Sequence, residues 1–118
     1  MAIVLVGIGG LFGAVVRYEI GKRLARLSRA HFPVATFFVN ITGALLLGLL
    51  SGLDTPKSVY LLMGDGFLGA YTTFSTFMYE GFMLFDVNKK LNAAAYIVLS
   101  LILGLAGYFA GLQLGFLL

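Results

Sequence analysis

Two stretches of this chain are long and apolar enough to decide its environment before any motif is considered. Phe32 to Leu53 is an uncharged run of 22 residues, and Leu91 to Leu118 is an uncharged run of 28. A helix needs about 20 apolar residues to cross the hydrocarbon core of a bilayer. Two further stretches come close. Met1 to Val16 carries no charge, and its apolar character resumes around Ile20 and Leu24, so it qualifies if Arg17 and Glu19 sit at the interface or face protein. Ser58 to Tyr79 is interrupted only by Asp65. The expectation is four transmembrane helices, at about residues 2–24, 32–53, 58–84 and 91–116, in a single domain of residues 1–118.

Composition agrees. The chain is 60% hydrophobic and 11% charged, whereas soluble domains are about 25% charged. Mean hydropathy is +1.00. There are no cysteines, which excludes disulfides and thiolate metal sites. His31 is the single histidine, too few for a zinc centre built from histidine and carboxylates. The pI near 9.4 reflects basic residues that flank hydrophobic spans, a membrane pattern and not a nucleic-acid footprint. No basic residue precedes the first apolar run, so it does not read as a signal peptide.

The connections are short, which makes sequential helices antiparallel neighbours. The first and third loops carry Lys22, Arg23, Arg26, Arg29, Lys89 and Lys90, while the opposite side has Lys57 and the amino terminus. By the positive-inside rule the first and third loops are cytoplasmic and both termini are outside. Small residues recur at four-residue spacing, at Gly9 and Gly13, at Gly48 and Gly52, and at Gly107, Gly111 and Gly115. In lipid this spacing marks close helix contacts and oligomers.

The polar residues inside the spans carry the functional signal. Gly69 to Phe77 reads Gly-Ala-Tyr-Thr-Thr-Phe-Ser-Thr-Phe, with four hydroxyls in five positions. A buried hydroxyl without a partner costs about 1–3 kcal/mol, so something polar passes, binds or pairs here. Thr36 and Asn40 share one face of the second span, and Tyr96 and Ser100 one face of the fourth. Phe74 and Phe77 are three apart, with Glu80 three further on. Aromatic stripes are usually packing seams, but here they alternate with Thr73, Ser75 and Thr76. Hydroxyl and amide donors with phenyl edges, the positive rim of the ring quadrupole, form a lining that can replace the hydration shell of a small anion. No fixed cation is present in that lining to hold the anion too tightly.

These residues resemble the Fluc (CrcB) fluoride channels along essentially the whole chain. The matching pieces are Gly9–Gly10 with Gly13–Ala14 and Arg17–Tyr18, then Thr36, Val39–Asn40 and Gly43. Gly66–Phe67–Leu68–Gly69 follows, running into Thr72–Thr73–Phe74–Ser75–Thr76–Phe77 and Glu80. The resemblance implies an all-α membrane protein of four transmembrane helices, the third broken at mid-membrane. Two such subunits pair antiparallel, one inverted, around two fluoride pores. It implies a structural sodium ion held by backbone carbonyls of Gly69 and Thr72. It makes Phe74 and Phe77 the pore phenylalanines, Asn40 the pore asparagine, and Thr36, Tyr96 and Ser100 a polar track. Ser75 and Thr76 line the same region, with Arg17 near the vestibule and Glu80 beyond the second phenylalanine. The implied function is passive fluoride export through the plasma membrane.

The chain departs from that pattern in three places. Asp65 stands where a small hydroxyl or apolar residue is usual, and Gly104 where a hydroxyl is expected. Six basic loop residues against one favour a fixed orientation, so the inverted subunit is either a second copy or a homologue facing the other way. The alternative function is a small proton-coupled multidrug exporter. Such proteins need a carboxylate in the middle of the first helix, and this chain has none there. An enzyme is not expected, because Asp65, Glu80 and His31 are too scattered to form a reacting constellation.

Overall fold

A computed structural model describes residues 1–26, 33–86 and 88–118, and the side chain of Ser75 also lies outside the described set. Arg29 and His31, which fall in the first expected loop, are outside it too.

All regular structure among the described residues is helical. The chain runs through α1 (Ala2–Leu24), α2 (Val34–Gly52), α3 (Lys57–Tyr60), a π-helical segment (Leu61–Leu68), α4 (Gly69–Tyr71), α5 (Phe74–Asp86) and α6 (Lys90–Leu117). Among the described residues three helices, α1, α2 and α6, are long and apolar enough to cross a membrane. Between α2 and α6, the stretch from Lys57 to Asp86 is divided into four helical pieces.

The boundaries follow from local chemistry. Lys22 and Arg23 occupy the last turn of α1, where positive charge meets the partial negative end of the helix. Pro33 immediately precedes α2, and its missing N–H costs nothing at that position. Leu53 leaves α2 in an extended conformation, and Pro56 sets the start of α3. Asn88, at φ 63°, turns the chain out of α5. Asparagine tolerates this left-handed geometry better than most residues. The turn is closed by Asn88 N–H to Phe85 O at 3.1 Å and Lys89 N–H to Leu84 O at 2.8 Å, as in helix ends that turn through a left-handed residue.

The largest helix–helix contact pairs α2 with α6, and α1 packs mainly on the π-helical segment and α4. Both seams depend on glycine. A Cβ on Gly48 would run into the carbonyl oxygen of Tyr108, and one on Gly111 into that of Leu45. On the other seam, a Cβ on Gly9 would strike the Leu62 carbonyl oxygen and one on Gly13 that of Phe67. Gly107, which shares the sequence spacing, has only ordinary contacts at Ile41 and Leu45.

Burial is inverted relative to a soluble domain. The core is small and lies in two clusters. One contains Phe77, Leu84, Ala93 and Tyr96, and the other Val39, Leu68 and Tyr71. Large apolar side chains such as Ile3, Leu11, Phe12, Leu101, Leu105 and Phe109 face outward. Monomeric soluble proteins seldom expose apolar surface on this scale. With three spanning-length apolar helices, it marks a membrane protein.

Candidate functional site

The helix that begins at Lys57 stops at Tyr71. Thr72 takes φ −81° and ψ 160°, an extended backbone, and the helix resumes at Phe74. Such a gap strands backbone groups that must find other partners, most urgently where water is scarce. Asn40, reaching over from α2, supplies them. Its Nδ2 donates to Thr73 O at 3.0 Å, and Thr73 N–H donates to its Oδ1 at 2.9 Å. A carboxamide has one donor face and one acceptor face, so it pairs with both backbone polar groups of the single residue Thr73. The opposed polarity of the two bonds fixes which way the amide points.

The interruption has a second consequence. In a continuous helix the N–H of Thr73 would bond the carbonyl of Gly69, and the N–H of Thr76 that of Thr72. Here the first goes to Asn40, and the second goes to Thr73 Oγ1 at 3.3 Å. The Gly69 and Thr72 carbonyls are thereby released from their regular i+4 donors. Thr72 turns its own N–H and its hydroxyl back onto the single Leu68 carbonyl, at 3.0 and 2.9 Å. Two carbonyl oxygens relieved of helical bonds are the donor chemistry a hard cation takes. The donor chemistry at Gly69 and Thr72 is thus compatible with the sodium ion that the family resemblance implies.

The end of α4 is pinned to α2 by a further pair. Tyr71 is buried, its hydroxyl lies 2.8 Å from Thr42 Oγ1, and its ring stacks on Phe67 with centroids 6.0 Å apart. The Thr42 hydroxyl donates to Phe38 O at 2.8 Å. Its single proton is then committed, so Tyr71 donates to Thr42.

A second group forms where α2, α5 and α6 meet. Phe77 is 7% exposed and packs on the fully buried Tyr96 with ring centroids 5.2 Å apart. Phe74 is 74% exposed, and its ring centroid lies 6.2 Å from that of Phe77. The Tyr96 hydroxyl donates to Glu80 Oε1 over a long 3.5 Å, and the buried Thr36 hydroxyl also reaches Glu80. One turn beyond Tyr96, Ser100 Oγ is buried with no hydrogen-bond partner among the described residues.

Two cavities adjoin the interruption. One, of about 530 Å³, is lined by Asn40, Asp65, Gly69, Thr72, Thr73 and Phe74 among others. The other, of about 520 Å³, takes in Arg17, Lys22, Thr36, Val39, Thr73 and Thr76. Thr73 lines both. The structure thus gathers Asn40, Gly69, Thr72 and Phe74 about one cavity, and Arg17, Thr36 and Thr76 about the other. Phe77, Tyr96 and Glu80 gather beside Thr36. Ser100 lines neither of these cavities and makes no side-chain hydrogen bond among the described residues. The side chain of Ser75 lies outside the described residues.

Sequence reasoning named Thr73 and Tyr71 only as members of the polar block, gave neither a role, and did not name Thr42. Thr73 bonds Asn40 through its backbone, which leaves no mark in residue type, and accepts the Thr76 N–H through its hydroxyl. The pair of Thr42 and Tyr71 had a faint signal, since two hydroxyls in neighbouring apolar spans each need a partner.

Residues 4–112 match the family described as CrcB-like protein, Camphor Resistance (CrcB). A Clostridium acetobutylicum protein named Fluoride-specific ion channel FluC 2 is 52% identical over 107 residues, covering 91% of this chain and 92% of that protein. A Bacillus cereus protein of the same name is 42% identical over 115 residues, with 98% of each chain covered. One from Mycobacterium tuberculosis is 49% identical over 104 residues, covering 88% of this chain and 82% of the relative. These relatives are named as ion channels and not as enzymes. The match along almost the whole length, with a helical, outwardly apolar fold, makes this chain a member of the CrcB family.

Proposed function

We propose that this chain is the subunit of a fluoride-specific channel that lets fluoride leave the cytoplasm passively across the plasma membrane. The observation that carries the reading is family membership, with relatives named for fluoride conduction at up to 52% identity over most of the chain. The chemistry of the interruption supports it. Phenyl edges, hydroxyls and a carboxamide offer partial positive charge without a tightly binding cation.

In this reading the chain is a single four-span channel domain, and the gap at Thr72 and Thr73 lies at mid-membrane. Phe74, Phe77 and Asn40 contact the ion. Thr36, Ser75, Thr76, Tyr96 and Ser100 continue its path, Ser100 offering a hydroxyl that no described group occupies. Arg17 and Glu80 act on either side of that path. Two pores run through an antiparallel dimer. The six-to-one bias of loop charge favours an inverted homologue over a second copy as the partner. A sodium ion at the Gly69 and Thr72 carbonyls holds the two interruptions together and does not permeate.

The test is fluoride efflux from liposomes, with the chain alone and with a homologue of opposite loop charge. Fluoride should leave down its own gradient with chloride retained, at a rate indifferent to an imposed proton gradient. Efflux that requires the proton gradient would favour a coupled exporter. No fluoride efflux from either preparation would remove the channel reading.

A further inference from the structure

We infer that Asp65 is the counter-charge of the cation held at the interruption. The inference rests on the sodium reading above and extends it to a side chain. Asp65 is the one acid in the stretch from Ser58 to Tyr79. A carboxylate at such a position is costly unless it pairs or faces a polar cavity, and by default it signals function. It stands four residues before Gly69, about one helical turn, and it is exposed on the π-helical segment.

The cavity it lines is the one that also takes in Gly69 and Thr72, the two residues whose carbonyls have lost their helical donors. Asp65 is the only charged residue among those described as lining this cavity. The remaining polar residues there are Asn40, Tyr60, Thr72 and Thr73, and Asn40 is already engaged with the Thr73 backbone. Gly43, Ala44, Leu47, Leu68 and Phe74 make most of the lining apolar, and no basic side chain is among the residues described as lining it, so the carboxylate of Asp65 is the one formal charge beside Gly69 and Thr72 and its sign suits a cation. The same carboxylate would repel an anion, more strongly in the low dielectric of a membrane than in water. Asn40 and Phe74 line the same cavity, so Asp65 acts with a bound cation, which offsets its charge and leaves no uncompensated negative charge beside the fluoride path. Its charge acts across the cavity to tighten the cation, beside the carbonyls that ligate it.

The test is the sodium dependence of stability, read without any flux measurement. Parent and Asp65→Asn protein, each purified with its partner subunit, are melted in detergent over a series of sodium chloride concentrations. N-methylglucamine chloride keeps ionic strength constant. The parent should be stabilised by sodium with a saturable midpoint. Asp65→Asn should need at least tenfold more sodium to reach half-saturation, about 1.4 kcal/mol of cation binding, and Asp65→Glu should stay close to the parent. Fluoride efflux by Asp65→Asn at saturating sodium should remain within a few-fold of the parent. A sodium midpoint for Asp65→Asn within twofold of the parent overturns the inference and leaves the sodium site standing. So does selective loss of fluoride flux at saturating sodium, which would put Asp65 on the ion path. If the parent shows no sodium dependence, the sodium site and the role of Asp65 fall together. Should Asp65→Asn fail to fold, Asp65→Ser and Asp65→Glu make the same comparison.

Discussion

The pairing of α2 with α6 and the stretch from Lys57 to Asp86 meet the same demand in opposite ways. Both have to keep backbone polar groups satisfied in an apolar setting. Across the α2–α6 seam each helix is continuous, every bond is internal, and association relies on glycines that bring carbonyl oxygens into the space a Cβ would fill. In the other region the helix gives way at Thr72, and the N–H groups of Thr73 and Thr76 are taken up by side chains, chiefly Asn40, while the Gly69 and Thr72 carbonyls lose their helical donors. The first arrangement tolerates no added volume, whereas the second depends on particular polar atoms. Steric substitutions should therefore ruin the seam, while near-isosteric ones should disable the interruption.

The seam should give the largest effect. Gly48→Leu or Gly111→Leu forces a bulky side chain against a backbone carbonyl that has no room to move. Overpacking commonly costs 1–3 kcal/mol even where side chains can shift. Little folded protein should be recovered, as judged by size-exclusion chromatography in detergent. Gly104→Leu, where a Cβ meets nothing within 4 Å, is the control and should behave as the parent does. A well-folded Gly48→Leu protein would break the contrast.

A smaller and purely chemical change tests the other side. Asn40→Asp keeps the size of the side chain and one acceptor, but it loses the donor to Thr73 O and sets a negative charge at the gap. Fluoride efflux should fall at least tenfold while the protein remains monodisperse. Parent-like efflux would show that the clamp on Thr73 is dispensable.

The smallest effect is expected at Tyr71. Tyr71→Phe removes the hydroxyl that donates to Thr42 and leaves the ring on Phe67. The net worth of such a hydrogen bond is about 0.5–1.5 kcal/mol. The melting temperature should drop by a few degrees and efflux should stay within a few-fold. A drop in efflux as large as that of Asn40→Asp would mean that Tyr71 helps form the gap and does not merely anchor its edge.

These two regions were not equally legible in the sequence. The continuous helices declare themselves through uncharged runs, and Pro33 and Pro56 mark where helices begin. The glycine seam was visible only as a spacing. Four-residue repeats do not say which glycine meets a backbone, and Gly107 proves loose where Gly48 and Gly111 are tight. For the interruption, the clustered hydroxyls and the asparagine signalled polar work, but the partners are backbone atoms. No residue type reports that Thr73 surrenders its N–H to Asn40, because that exchange exists only after α2 and the gap have met. The π-helical geometry of Leu61–Leu68 left no signal that periodicity could catch, since its apolar residues and glycines fit an ordinary helix equally well.

In the proposed channel, fluoride passes where the interruption meets the paired phenylalanines. The most direct measurement is the initial rate of fluoride efflux from liposomes holding equal amounts of folded parent, Phe74→Ala or Phe77→Ala, each with its partner subunit. Either alanine should slow efflux at least tenfold. The exposed Phe74 should do so with little change in melting temperature, and the buried Phe77 at a cost of about 3–5 kcal/mol in stability. Efflux at the parent rate in both variants would contradict this path for the ion.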